Sequence, residues 1–148
     1  MRRVLRRQMG AGDHLLLGVD LVKPVEVLEA AYNDRAGVTA EFNRNVLQVI
    51  NRELDANFDL EQFAHIAFFN REESQIEMHL RSRHAQRVTI RKLDLEVSFT
   101  AGETIHTEIS RKFTRDEVET TLRAAGFQPL AWHTSPNNYF ALALSSAL

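Results

Sequence analysis

Ile76-Glu77-Met78-His79-Leu80-Arg81 sets an apolar side chain against a polar one at every second residue, the period of a strand with one face buried. The same period returns at Val88 and Ile90, at Leu93, Leu95, Val97 and Phe99, and from Thr104 to Ser110, with Gly102 supplying one turn. Neighbouring strands joined by such short turns predict an antiparallel meander. Working outward, the upstream period is helical. Pro24 can open a helix, because its missing N–H costs nothing in a first turn. Val25, Leu28, Ala31 and Tyr32 follow at helical spacing until Asn33, Asp34 and Gly37 stop it. A second helix is predicted from about Thr39 to Leu54, with Phe42, Val46, Val49, Ile50 and Leu54 as its apolar stripe. Asp59 can cap a short turn before Phe63.

Downstream, Thr114-Arg115-Asp116-Glu117 is a capping box, Thr at the cap and Glu three residues on. Val118, Leu122 and Ala125 continue that helix and Gly126 ends it. Gln128 to His133 and Tyr139 to Leu144 read as strands around the turn Ser135-Pro136-Asn137-Asn138. At the other end, a helix stub over Val4–Met9 and a turn over Gly10–Asp13 lead into His14–Val19. That continuous apolar run is of the kind covered on both faces of a sheet, with Asp20 where the strand ends. The ends thus read as α/β and the middle as two helices plus a meander, as in one sheet domain interrupted by an insertion.

Composition narrows the function classes. A chain of 148 residues suffices for one compact domain and is too short for two large ones. Hydrophobic residues at 44% allow a real core, and a net charge of −2 argues against a dedicated nucleic-acid binder. No cysteine is present, which excludes disulfides, thiolate metal sites and cysteine nucleophiles. No stretch approaches the roughly 20 apolar residues of a membrane helix. Met1 to Gln8 holds four arginines without an apolar run behind them. A soluble, cytoplasmic protein that binds neither membrane nor nucleic acid is expected.

Individual motifs have plain readings beside functional ones. Gly10-Ala11-Gly12 has the glycine spacing of nucleotide loops, but a strand follows it where a helix N-terminus is required, so a turn is the better reading. There are six histidines; His79 and His84 do not share a helix face, and no metal site is expected. Arg81, Arg83, Arg87 and Arg91 read as a solvated face before an anion site. Glu108 and Ser110 are two apart on one predicted strand, on the face shared with Thr104 and His106 and opposite Ile105, Thr107 and Ile109. That polar face meets either water or a polar ligand, and pattern alone favours water. Tyr32 is either core or a phenol offered to a ligand, and Met78 reads first as core.

Several phrases together resemble one family. They are Leu15-Leu16-Leu17-Gly18-Val19-Asp20-Leu21-Val22-Lys23, Ala31-Tyr32-Asn33-Asp34, and Gly37-Val38-Thr39-Ala40-Glu41-Phe42-Asn43-Arg44-Asn45. Ile76-Glu77-Met78-His79-Leu80-Arg81-Ser82 and Ile105-His106-Thr107-Glu108-Ile109-Ser110-Arg111-Lys112-Phe113 complete the set. In this order, over nearly the whole chain, they resemble the histidine-specific, S-adenosylmethionine (SAM)-dependent N-methyltransferases that make trimethylhistidine for ergothioneine synthesis. The resemblance implies the C-terminal part of a Rossmann-like methyltransferase with an inserted α+β substrate domain. Residues 1–23 would end the methyltransferase core with its fifth strand, 24–112 would form the substrate domain, and 113–148 would return as the last helix and an antiparallel strand pair. It implies that Tyr32 contacts the histidine carboxylate, that Met78 packs beside the imidazole, and that Glu108 and Ser110 bond its ring nitrogens. SAM is the family's cofactor, but the family's cofactor residues have no counterparts in this chain. SAM binding is therefore expected to be absent from the chain alone, which would act as a fragment or subunit beside an N-terminal methyltransferase half. The alternative is an amino-acid-binding module or degenerate chain without catalysis. The doubly apolar strand His14–Val19 leads to an expected homo-oligomer.

Overall fold

The alternating stretch around Met78 forms β3 (Gln75–Ser82) of the computed structural model, which describes residues 2–148, with side chains from Leu5 onward. Met1 and the side chains of Arg2, Arg3 and Val4, part of the arginine-rich opening, lie outside the described residues. The chain is mixed α/β with antiparallel sheets, and it divides into two units. One is continuous, Val25–Ser110; the other joins the residues up to Pro24 with Arg111–Leu148.

In the continuous unit β3 is the middle strand of a three-stranded sheet between β2 (Phe63–Asn70) and β6 (Thr104–Arg111). β2 pairs antiparallel with β3, Ala67 opposite Met78 and Phe69 opposite Ile76. β2 escapes a reading by pattern because Phe63-Ala64-His65-Ile66-Ala67-Phe68-Phe69 is apolar almost throughout, with no alternation to detect. The predicted single meander also divides. β4 (Gln86–Ile90) and β5 (Leu95–Phe99) form a separate two-stranded sheet, with Ile90 also bridging Ala56. Backbone bonds from Ser82 N–H to Glu103 O and from Gly102 N–H to Ser82 O bring the chain back beside β3, so the excursion between them closes on itself. Leu93 does not start a strand: Arg91–Leu93 is a 3-10 turn closed by Asp94 at φ 48°.

Helices α2 (Val25–Tyr32) and α3 (Val38–Leu54) contribute to the apolar clusters of this unit. Leu28 of α2 joins Ala67, Ile76 and Met78. Leu47 of α3 joins Phe58, Phe63, Leu80, Val88, Ile90 and Phe99. The predicted stripe of α3 is rotated: Phe42 is 63% exposed and Val46 is also exposed, while Asn43 and Leu47 are buried. Asn43, Leu47, Ile50 and Leu54 have helical spacing as good as the predicted set. The amide at Asn43 can be buried because its hydrogen bonds are satisfied there, as described below.

The second unit holds α1 (Arg2–Arg7), β1 (His14–Asp20), α4 (Arg115–Ala124), β7 (Phe127–Thr134) and β8 (Phe140–Ala147). Its strands order as β1-β8-β7, all antiparallel. The capping box is present as read: Thr114 Oγ1 accepts from Glu117 N–H, and Glu117 reaches back to Thr114 N–H. Val118 and Leu122 of α4 cover one face of the sheet together with Val19, Phe127, Ala141, Ala143 and Ala147. Among the described residues β1 is an edge strand covered on that face alone. Leu15 and Leu17 pack on the cluster, whereas Leu16 is 61% exposed, so the expected burial on both faces does not hold here. Pro129 sits at a register shift in β7, an edge strand, where a missing N–H leaves no ladder bond unmade. Among the described residues, no helix is long and apolar enough to cross a membrane.

Candidate functional site

The Ala31-Tyr32-Asn33-Asp34 phrase acts as one hinge-free joint at the end of α2. Tyr32 Oη donates to Ser110 Oγ at 2.7 Å. Asn33 Nδ2 donates to Ala67 O at 2.9 Å, and Glu29, one turn earlier, accepts from Phe69 N–H at 3.0 Å. Because β2 is the sheet's edge, these two side chains occupy backbone groups that no strand among the described residues pairs. Asp34 then accepts from Val38 N–H at 3.0 Å and Thr39 N–H at 2.8 Å, which starts α3. Those bonds hold its carboxyl below the usual range. The short sequence thus docks α2 on β2 and aims Tyr32 at β6.

Met78 is 2% exposed, in the cluster against which Tyr32 packs, and its carbonyl accepts from Thr107 Oγ1 at 2.9 Å. Tyr32, Met78 and Ser110 therefore come together. Glu108 is exposed, and its side chain makes no hydrogen bond or ion pair among the described residues. The alternation of β6 breaks just there. Thr104, His106 and Glu108 are exposed and Ile105 and Thr107 half-buried, but beyond Glu108 the exposed residue is Ile109 and the half-buried one Ser110. Ser110 bonds Tyr32, and the burial alternation of β6 does not continue past Glu108.

A second polar group lies across β3, where Glu77 and His79 alternate with Met78. Glu77 accepts from Asn70 Nδ2 at 2.7 Å, Gln75 Nε2 at 3.0 Å and His79 Nε2 at 3.2 Å. The Gln75 and Asn70 amides, with His79, hold its carboxyl down at about 2. The His79 ring stacks on Phe68 at 5.4 Å and on His106 at 4.5 Å. One ligand atom from each of Glu77, His79 and His106 lies within 4.8 Å of the others, a spacing that invites a metal ion. The chemistry of the rings opposes it. Metal on His79 Nε2 would drive the proton to Nδ1, which is buried with no partner, whereas ligating histidines normally donate that second N–H. The two rings also lie within 10° of parallel, so their in-plane lone pairs do not converge. The group is better described as a carboxylate–imidazole pair beneath a ring stack.

The depressed Glu77 carboxyl has a measurable consequence. A carboxyl lowered in the folded state stabilises above its ordinary value of 4.5, and that contribution is lost as pH falls toward about 2. In urea titrations across this window, wild type is expected to lose more of its midpoint than Glu77→Gln. Parallel curves would refute the assignment.

The Gly10–Asp13 turn offers no place for SAM. Gly10 N–H is engaged by Asp13 Oδ2 at 2.8 Å, Asp13 N–H by Gly10 O at 3.2 Å, and the chain passes directly into β1. The residues of this turn do not fit the cofactor.

The profile of the family described as histidine-specific methyltransferase, SAM-dependent, matches residues 1–147. The chain belongs to this family. It is 54% identical over 134 residues to a histidine N-alpha-methyltransferase of Mycolicibacterium smegmatis, covering 90% of this chain and 42% of that protein. It is 51% identical over 138 residues to the histidine N-alpha-methyltransferase of Mycobacterium tuberculosis, covering 93% of this chain and 43% of that one. The chain thus spans less than half the length of these curated relatives. Within the SAM-dependent histidine methyltransferase family, sequence reasoning singled out Tyr32, Met78, Glu108 and Ser110 but missed buried Asn43 and its partner His65. The signal for Asn43 was its place on the same helical stripe as Leu47, Ile50 and Leu54.

Proposed function

We propose that this chain carries the histidine-holding portion of a SAM-dependent enzyme that methylates the α-amino group of histidine toward trimethylhistidine, as in ergothioneine biosynthesis. Residues 24–112 serve as the substrate domain. Residues 1–23 and 113–148 belong to the end of a Rossmann-like methyltransferase core, whose cofactor contacts come from an N-terminal methyltransferase half. The observation that carries this reading is the Tyr32–Ser110 bond at 2.7 Å beside buried Met78. It joins residues far apart in sequence into one wall with a phenol, a hydroxyl and a thioether. Tyr32 meets the substrate carboxylate, Met78 flanks the imidazole, and Ser110 and Glu108 bond its nitrogens. An exposed carboxylate facing imidazole fixes the ring and favours its charged form. The amine to be methylated needs a neutral lone pair, so the contribution of these residues is orientation.

Calorimetry of the chain with histidine and with SAM, separately and together, tests this. Weak histidine binding is expected, with no tight SAM binding; a micromolar SAM constant, on the order of −8 kcal/mol, would overturn the second part. Glu108→Ala is expected to weaken histidine binding by roughly 1.5–3 kcal/mol through loss of a charge-assisted bond, with exposed Glu72→Ala as the silent control. Equal affinities for the two variants would remove Glu108 from the site.

Self-association belongs to the same reading. Leu16, Phe140 and Leu142 are exposed apolar residues on one face of the β1-β8-β7 sheet, with Phe140 packed over Gly18. Such a face beside an open strand edge favours association. Light scattering is expected to find a dimer or larger species, and a clean monomer at high concentration would contradict it.

A further inference from the structure

We propose that Asn43 and His65 are positioning residues that set the Tyr32–Met78 wall. Asn43 is 3% exposed on α3. Its Nδ2 donates to His79 O at 3.1 Å and lies 2.9 Å from His65 Nδ1. His65 Nε2 in turn lies 2.9 Å from Tyr32 O. Both ends of this chain are backbone carbonyls, which only accept. The group facing His79 O must therefore be the Asn43 amide nitrogen, and the ring nitrogen facing Tyr32 O must carry a proton. His65 Nδ1, facing the same amide nitrogen, is then the acceptor. One arrangement satisfies every partner: neutral His65, protonated on Nε2.

The carbonyls it holds matter for where they sit. Tyr32 ends α2, so its C=O is one of the helix's orphan acceptors. His79 follows Met78 on β3. Through Asn43 of α3 and His65 of β2, the network ties the backbone of the phenol-bearing residue to the strand that carries Met78. The hydroxyl contact to Ser110 aims the Tyr32 ring, and the His65 contact holds the backbone that the ring swings from. A buried network satisfied at each of these contacts rigidifies its surroundings, whereas a half-satisfied one does not.

The functional consequence rests on the reading of Tyr32 as a substrate contact, and the test separates the two. In wild type, 15N spectra are expected to show His65 protonated on Nε2 only. Asn43→Asp places an acceptor against Nδ1, so His65 is expected to take up a second ring proton and show imidazolium shifts. His65→Leu is expected to lose the nuclear Overhauser contacts between the Tyr32 ring and the Ile76–Met78 cluster, and to bind histidine roughly tenfold more weakly. His65→Gln, which can accept and donate in the same places, is expected to keep both. Contacts and affinity retained in His65→Leu, an Nδ1-protonated ring in wild type, or unchanged ring shifts in Asn43→Asp would each overturn the proposal. If Tyr32→Phe leaves histidine affinity unchanged, or wild type binds none, the substrate reading fails; the Overhauser contacts and ring shifts still decide the positioning role.

Discussion

Phe63→Ala is expected to cost about 3–5 kcal/mol of stability, the range for removing a fully buried aromatic ring. Phe63 opens β2 and has no exposed surface. Its ring meets Phe99 edge-on at 5.4 Å and Phe58 at 5.8 Å, and those two are themselves 6.3 Å apart. Three rings in mutual contact cannot close over a missing one without giving up edge-to-face geometry, so a cavity remains. Phe42→Ala is the matched control. The sequence pattern placed Phe42 in the core, but it is 63% exposed, and its loss is expected to change stability by about 0.5 kcal/mol or less. Urea midpoints compare the two directly, and similar losses would contradict the packing described.

The second large effect is expected at Asp20, which ends β1. Lys112 is fully buried, and its Nζ lies 2.8 Å from Asp20 Oδ2, while Lys23 bonds the other oxygen. Asp20→Asn removes the carboxylate opposite a buried ammonium and is expected to cost about 1.5–3 kcal/mol, the range for a hydrogen bond to a charged group. Lys112→Met, which takes the buried charge away and fills similar volume, should cost much less. The same carboxylate shapes acid stability. Burial pulls its carboxyl upward, but the bonds from Lys112 and Lys23 win and hold it below its ordinary value of 3.8. The contribution is therefore complete above that value and lost as pH falls through the lowered one. Asp20→Asn should lack this part of the acid loss. Equal costs for the two substitutions would mean that Lys112 does not depend on Asp20.

These two sites show which features were legible in the sequence. The Thr114–Glu117 capping box could be read because donor and acceptor lie within one turn, and β3 because Ile76, Met78 and Leu80 alternate with polar neighbours. Phe42 and Asn43 show the limit. Either can lead a helical stripe, and hydropathy chooses Phe42, whereas the fold buries Asn43 because His65 and the His79 carbonyl await its amide. Those partners lie on other strands, and no local pattern announces them. Ser110 is hard to read for a related reason: it is half-buried where the burial alternation of β6 breaks, and its partner Tyr32 lies far away in sequence. The resemblance pointed to Tyr32, Met78, Glu108 and Ser110, where pattern alone left each nearer to core or water.

The chain-end unit pairs β1 with β8, which is made only after the whole of Val25–Ser110. That arrangement favours one order of assembly. The continuous unit can fold while β1 still lacks its partner, because its own strands follow one another closely. Its folding also brings its two ends together: Tyr32, near its start, bonds Ser110, its last residue. A long flexible span between β1 and β8 would make their meeting slow, since closing a chain costs more entropy as it lengthens. With the intervening residues already folded, that span shortens to a clasp, and the Leu21–Phe113 bridge is the first contact beyond it. The Tyr32–Ser110 bond thereby acts as a buckle whose closing makes the meeting of β1 and β8 easier.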